Sequence, residues 1–207
     1  MAQLKTRFLE YASASFTHPG EKDCGDDYVV IDEPARTQVA VIDGLGHGPA
    51  AAAATQRAIT ELRRQRNKKP LSDLVRHSDT ALRHTRGVAM TIAEFRSEAP
   101  NMTWLGVGNV MACLARMTPI GRVRCQLLML RSGIVGRHPT HLNPSTSQVN
   151  RGDLIVFATD GINPAFIEDL KLVENGTHVA NLARTLLSKH LKGTDDALMV
   201  VVRYLGR

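Results

Sequence analysis

The chain has 207 residues, enough for one compact domain with a sizeable core. Hydrophobic residues make up 43% and charged residues 22%, with 16 glycines and 9 prolines, a balance that excludes intrinsic disorder and fibrous classes. The net charge of +6 favours acidic partners, whereas no run of ~18 apolar residues offers a membrane span and the N-terminus lacks a signal-peptide core, so a cytoplasmic address without a membrane partner is expected.

In chain order, "TRFLEYASASF" (6–16) alternates in the manner of a strand. "DYVVIDE" and "TQVAVID" read as two β-branched strands joined by the turn "EPAR", hence an antiparallel pair. From Gly48 the pattern becomes Ala-rich with Ile59 and Leu62 spaced by three, predicting a helix to about Asn67; "LSDLVRHSDTALRHT" predicts a second. The cationic run "RRQRNKK" (63–69) closes the first helix, where it complements the macrodipole and solvates the end. It supports a nucleic-acid-binding reading only by charge; no binding motif or aromatic platform accompanies it, so no nucleic acid partner is expected.

"GVAMTIAEF", "MTWLGVG", "VMACLARM" and "VRCQLLML" follow as four strand-length apolar runs separated by "EAPN" and "TPIGR", predicting successive hairpins. The Pro-, Gly-, Ser- and Asn-rich segment 131–153 reads as a long loop. "DLIVFATD" is a further strand, "VANLARTLLSKHL" (179–191) an amphipathic helix, and "DALMVVVRYL" a closing strand. Grouped strands without βαβ alternation predict an α+β architecture with largely antiparallel sheets: two packed face to face with helices outside, or one broad sheet. No boundary divides the chain, so a single domain over 1–207 is expected. Cys24, Cys113 and Cys125, without a CxxC pair, read as reduced thiols.

Four aspartates share one local design, a carboxylate at a strand end or the turn beside it with glycine or a second aspartate next to it: Asp26 in "CGDDYVV", Asp43 in "VAVIDGLGHG", Asp160 in "LIVFATDG" and Asp195 in "GTDDALMVVV". Such a carboxylate is costly to bury unless a cation neutralises it, and oxygen-only ligands suit hard divalent ions such as Mg²⁺ and Mn²⁺. There is no HExxH, no Cys/His cluster and no P-loop. One residue in either Asp-Asp pair is not separable from its neighbour by sequence: Asp26 from Asp27, or Asp195 from Asp196. His47, inside the same loop as Asp43, reads either as a proton donor to a leaving group or as a loop-packing or hydrogen-bonding residue.

Taken in order, "CGDD", "DGLGHG", "ATDG" and "TDDALMVVV" resemble the metal-dependent protein serine/threonine phosphatases of class 2C, and within them the bacterial SpoIIE-like branch, over about residues 16–204. "CGDDY", "GVAMTIA" and "GVGNV" resemble the stressosome phosphatases of that branch. The resemblance implies a minimal four-layer αββα sandwich and hydrolysis of phosphoserine or phosphothreonine by a metal-activated water, with Mn²⁺ or Mg²⁺, two ions, as cofactor. It implies that Asp43 bridges the ions, that the Gly44 carbonyl binds one, that Asp160 and Asp195 hold the other, and that Asp26 contributes through the metal–water shell. It implies phosphorylated STAS-domain proteins of a stressosome-like complex as partners. A non-catalytic docking module with the same fold is the competing expectation. The larger class 2C enzymes place a phosphate-binding arginine near the early acidic motif; here Lys22 stands there, and Arg36, Arg131 and Arg137 are the other candidates.

Overall fold

A computed structural model describes residues 3–65, 70–118, 123–174 and 176–206. The chain opens with strands β1 (Leu4–Lys5), β2 (Leu9–Phe16), β3 (Asp26–Glu33) and β4 (Arg36–Gly44), then helices α1 (Pro49–Arg64) and α2 (Leu71–Leu82). Strands β5 (Val88–Arg96), β6 (Asn101–Val107), β7 (Met111–Met117), β8 (Val123–Leu127), β9 (Ser145–Gln148) and β10 (Leu154–Ala158) follow. Helices α3 (Phe166–Leu170) and α4 (Val179–His190) and strand β11 (Ala197–Tyr204) complete it.

Alternation along the strands dictates the layers. In β4, Val39 and Val41 face one way and Ala40 and Ile42 the other, and both sets are buried. The first set joins Phe95, Trp104, Ile155, Phe157 and Val200 in a core between two sheets; the second meets Ala54, Ala58 and Leu62 of α1 and Leu74 and Val75 of α2. A third core packs α3 and α4 on the outer face of β10 and β11. The result is the expected α+β sandwich of four layers, αββα, with sheet orders β1-β2-β11-β10-β7-β8 and β3-β4-β5-β6-β9 and every ladder antiparallel. No helix among the described residues is long and apolar enough to cross a membrane.

Two expectations need correction. Segment 131–153 is not all loop: β9 within it pairs with β6, because Ser147 tucks inward and the exposed edge of β6 accepts a further strand. The four middle runs are not one meander: β5 and β6 pair, and β7 and β8 pair, but β6 and β7 belong to different sheets. The link between them, Gly108–Val110, carries the chain from one sheet to the other, with Gly108 in the left-handed region at φ 92°. Of the cationic run 63–69 and the turn "TPIGR", residues 66–69 and 119–122 lie outside the described residues. The three cysteines are free, as expected, with Cys113 buried.

Phe157 is fully buried between the sheets. Phe157→Ala should lower unfolding stability by about 3–5 kcal/mol, read as a reduced urea midpoint at unchanged slope. A loss below about 1 kcal/mol would show that this core does not join the layers.

Candidate metal centre

One end of the sandwich collects strand termini from both sheets. Asp26 opens β3 and Asp43 lies at the end of β4, and the two are register partners. The Gly44 N–H donates to the Gly25 carbonyl at 3.1 Å, making Gly25 and Gly44 the hydrogen-bonded pair. Asp26 and Asp43 therefore form the adjacent non-hydrogen-bonded pair, in which Cα atoms are about 4.5 Å apart and side chains come closest. Both are buried, at 6% and 9% exposure. Asp26 shares strand parity with Tyr28 and Val30, and Asp43 with Val39 and Val41, all against the core between the sheets.

Strand parity separates Asp26 from Asp27 in position, and hydrogen bonding separates Asp195 from Asp196. Asp27 points to the helix side with Val29 and Ile31, where it accepts from Gln56 Nε2 at 2.8 Å and from the Tyr28 N–H at 2.7 Å. Asp196 is buried with both oxygens occupied: Oδ1 accepts from the His18 N–H at 2.8 Å and Oδ2 from the Gly25 N–H at 2.7 Å. It ties the β2–β3 crossover to the start of β11. Asp195 stands half-buried at the edge, one oxygen accepting from the Asp196 N–H at 2.8 Å. Asp160, just past β10, is solvent-exposed and accepts from Asn109 Nδ2 at 2.7 Å, while Lys192 Nζ donates to its carbonyl at 2.6 Å.

The charges feel one another. Burial, then Asp26, Asp160, Asp195 and Asp196, push the Asp43 carboxyl up to about 9. Burial raises Asp26 to about 7 against a hydrogen bond from Thr159, with Asp196, Asp160 and Asp195 adding to the rise. Burial and Asp195 raise Asp160, opposed by Lys192 and Asn109.

A hard divalent cation fits this set. Asp26 Oδ2 is buried without a hydrogen-bond partner, and an acceptor-only oxygen in that setting calls for positive charge. All the donors are oxygens, the choice of Mg²⁺ and Mn²⁺. Among the described residues no three His, Cys, Asp or Glu side chains close on one point as a ready cage. The centre is a buried carboxylate pair with further carboxylates at its solvent rim.

Close packing sets the loop after Asp43. A Cβ on Gly44 would collide with the Ala51 carbonyl of α1, and Thr55 of the same helix donates to the Gly25 carbonyl at 2.5 Å. Pro49 occupies the first helical turn, where its missing N–H costs nothing. His47 is exposed and is held outside the carboxylate set: Nδ1 is 2.8 Å from Glu21 Oε1, and its ring stacks on His18 at 4.1 Å. A cleft of about 400 Å³ opens alongside, lined by Leu45, Asn109 and residues 132–134.

Of the basic candidates, Arg36 is ruled out. It is buried between Glu33 (2.7 Å) and Glu94 (3.2 Å) at the opposite end of β4 from Asp43, roughly 23 Å away at strand rise. Lys22 and Arg137 are exposed, and Arg131 is half-buried beside β6. Asn109 and Lys192 went unread in the sequence. The signal for Asn109 was an amide between a glycine and a buried valine at a sheet crossing; for Lys192 there was none.

The sequence matches the family model of Stage II sporulation protein E (SpoIIE) over residues 33–205. No curated protein sequence matches the chain. A chain of the bacterial stressosome, described as a modular system adapted to control secondary messenger signalling, is similar at 25% identity with a TM-score of 0.79, over 94% of this chain and 99% of that one. RsbX in complex with magnesium is similar at 20% identity with a TM-score of 0.81, over 98% of each. The catalytic domain of the serine/threonine phosphatase PstP with two manganese ions is similar at 18% identity with a TM-score of 0.65, over 96% of this chain and 99% of that one.

Unfolded, both carboxyls ionise near the ordinary value of 3.8; folded and metal-free, Asp26 does so near 7 and Asp43 near 9. The folded chain then holds more protons than the unfolded one across that window, so stability is highest on its acid side and falls as pH rises through it. Thermal unfolding in chelator should show this decline, and Asp43→Asn should flatten it most between about pH 7 and 9. An undiminished slope in the variant would contradict the buried pair.

Proposed function

This chain belongs to the Stage II sporulation protein E family, and on that premise we propose that residues 1–207 act in the cytoplasm as one phosphatase domain, hydrolysing phosphoserine or phosphothreonine in proteins with two Mn²⁺ or Mg²⁺ ions. The observation that carries the reading is the Asp26–Asp43 pair, two buried carboxylates opposed across a ladder with one oxygen unpartnered. In this reading Asp43, the Gly44 carbonyl, Asp160 and Asp195 would hold the two ions, with Asp26 contributing through their water shell. When bound, the ions would supply Lewis acidity, lowering the pKa of a water and neutralising phosphoryl charge.

The chain's own residues do the rest. Asn109 fixes the orientation of Asp160, and Lys192 offsets part of its negative charge. Glu21 and His18 hold the exposed His47 ring outside the carboxylate set, an arrangement that fits the hydrogen-bonding reading of His47 better than that of a proton donor. Burial pushes the nearby Cys24 thiol up to about 12, so it offers no thiolate nucleophile at neutral pH. Similarity to RsbX and to a stressosome chain supports phosphorylated STAS-domain proteins as substrates.

Release of phosphate from a phosphoserine protein should require added Mn²⁺ or Mg²⁺ and vanish in excess EDTA. Asp43→Asn and Asp160→Asn should each cost more than the ~10–100-fold that loss of an outer partner costs. Full activity in EDTA would sink the reading, and binding of the phosphoprotein without turnover at any metal concentration would favour a docking module. On a panel, phosphorylated STAS proteins should react at least tenfold faster than a generic phosphopeptide; equal rates would remove that substrate class and leave the enzyme class standing.

A further inference from the structure

A second groove, of about 410 Å³, lies on the other side of loop 131–137 from the cleft beside the carboxylates. Its floor is Ala50, Ala53 and Ala54 of α1, and its rim carries Arg86, Arg137 and His84. We propose that this groove seats an acidic segment flanking the phosphorylated residue of the protein substrate, with Arg86 and Arg137 as the recognising cations. The proposal rests on the phosphatase reading.

Arg86 reaches over the loop that follows Asp43: its Nη1 is 3.5 Å from the His47 carbonyl and 2.9 Å from where a Cβ on Gly46 would stand. Its hydrogen-bond partner there, the His47 carbonyl, is a neutral oxygen. Like Arg7 and Arg57, which meet backbone carbonyls, neither Arg86 nor Arg137 is within ion-pair distance of a carboxylate among the described residues; what sets these two apart is that they line one groove. Two exposed, unneutralised guanidiniums side by side suit carboxylates, which they bind in a planar fork.

The backbone under Arg137 is built to hold it there. Buried Asp79 of α2 accepts from the Gly136 N–H at 2.7 Å and from the His138 N–H at 3.0 Å, gripping the chain on both sides of Arg137. His138 sits at φ 56° and Gly136 at φ 107°, and a Cβ on Gly136 would stand 3.0 Å from the Leu82 Cβ. A left-handed non-glycine residue carries a conformational cost. Here that cost, and a buried carboxylate, serve to present an arginine to solvent.

The reach is right for a flanking segment. Ala54 is six residues past Gly48, about 9 Å along α1, a span that two or three extended residues cover. A substrate with its phosphoryl group at the aspartates would lay its next residues along this groove. The chain's +6 charge acts in the same sense at longer range.

The test uses phosphoserine peptides identical except for glutamates, glutamines or lysines within three residues of the phosphoserine. Wild-type protein should show a KM roughly five- to tenfold lower for the glutamate peptide than for the glutamine peptide at similar kcat, a difference that collapses at high salt. R86Q/R137Q should bring the two KM values within twofold, and R137E should shift the preference toward the lysine peptide. Absence of discrimination by wild-type protein, or its survival in the double variant, would overturn the proposal. An equal rise of KM for both peptides would also overturn it, assigning the arginines to the phosphate instead. Fluorescence anisotropy of the same labelled peptides reads the groove without turnover: retained discrimination with no hydrolysis would fault the phosphatase reading and not the groove.

Discussion

Two carboxylates opposed across the narrow pair of an antiparallel ladder, at the mouth of a sandwich core, are the constraint around which this end of the molecule is arranged. Like charges directly opposite one another destabilise a sheet, and burial adds to the cost. Burial is the first cause of the upward displacement of both carboxyls, and at Asp43 the Asp26 charge adds to it. A chain selected for stability alone would place valines there, as it does at Val39 and Val41 two and four residues earlier. Retaining the pair is intelligible if positive charge completes it.

The fold serves that pair in two ways. Each sheet ends at the same edge, so Thr159 and Asp160 after β10 and Asp195 and Asp196 before β11 face Asp26 and Asp43 across the gap between the sheets. Helix α1 then presses against the loop closely enough that Gly44 and Gly25 admit no side chain. Asp196 spends both oxygens on backbone N–H groups of the β2–β3 crossover, so one of the clustered acids is structural and fixes where Asp26 begins. Its neighbour Asp195 stands half-buried at the edge, one oxygen accepting from the Asp196 N–H.

Around this negative centre the molecule is positively charged. Lys192 sits at the Asp160 rim, and Arg86 and Arg137 line a groove beyond the loop. Such a field draws an acidic protein substrate toward a site whose own carboxylates would repel it.

Much of this was legible from residue order. Alternation located β2, β-branched or strand-length apolar runs located β3 to β8, β10 and β11, and the Ala-rich and amphipathic patterns located α1, α2 and α4, because each element's burial leaves its mark in sequence. Strand parity is legible too: Asp26, Tyr28 and Val30 share one face and Asp27, Val29 and Ile31 the other, but which face is the inner one is set only when the sheets pack. What tertiary structure alone decided is whatever depends on partners remote in the chain. That β9 would leave the long loop to join β6, that β6 and β7 would part into different sheets, that Asp196 would bind Gly25 from 171 residues away, and that Arg36 would be consumed by Glu94 are long-range pairings. Local propensity carries no record of them, because the hydrogen bonds and charges involved exist only once the two sheets have closed on each other.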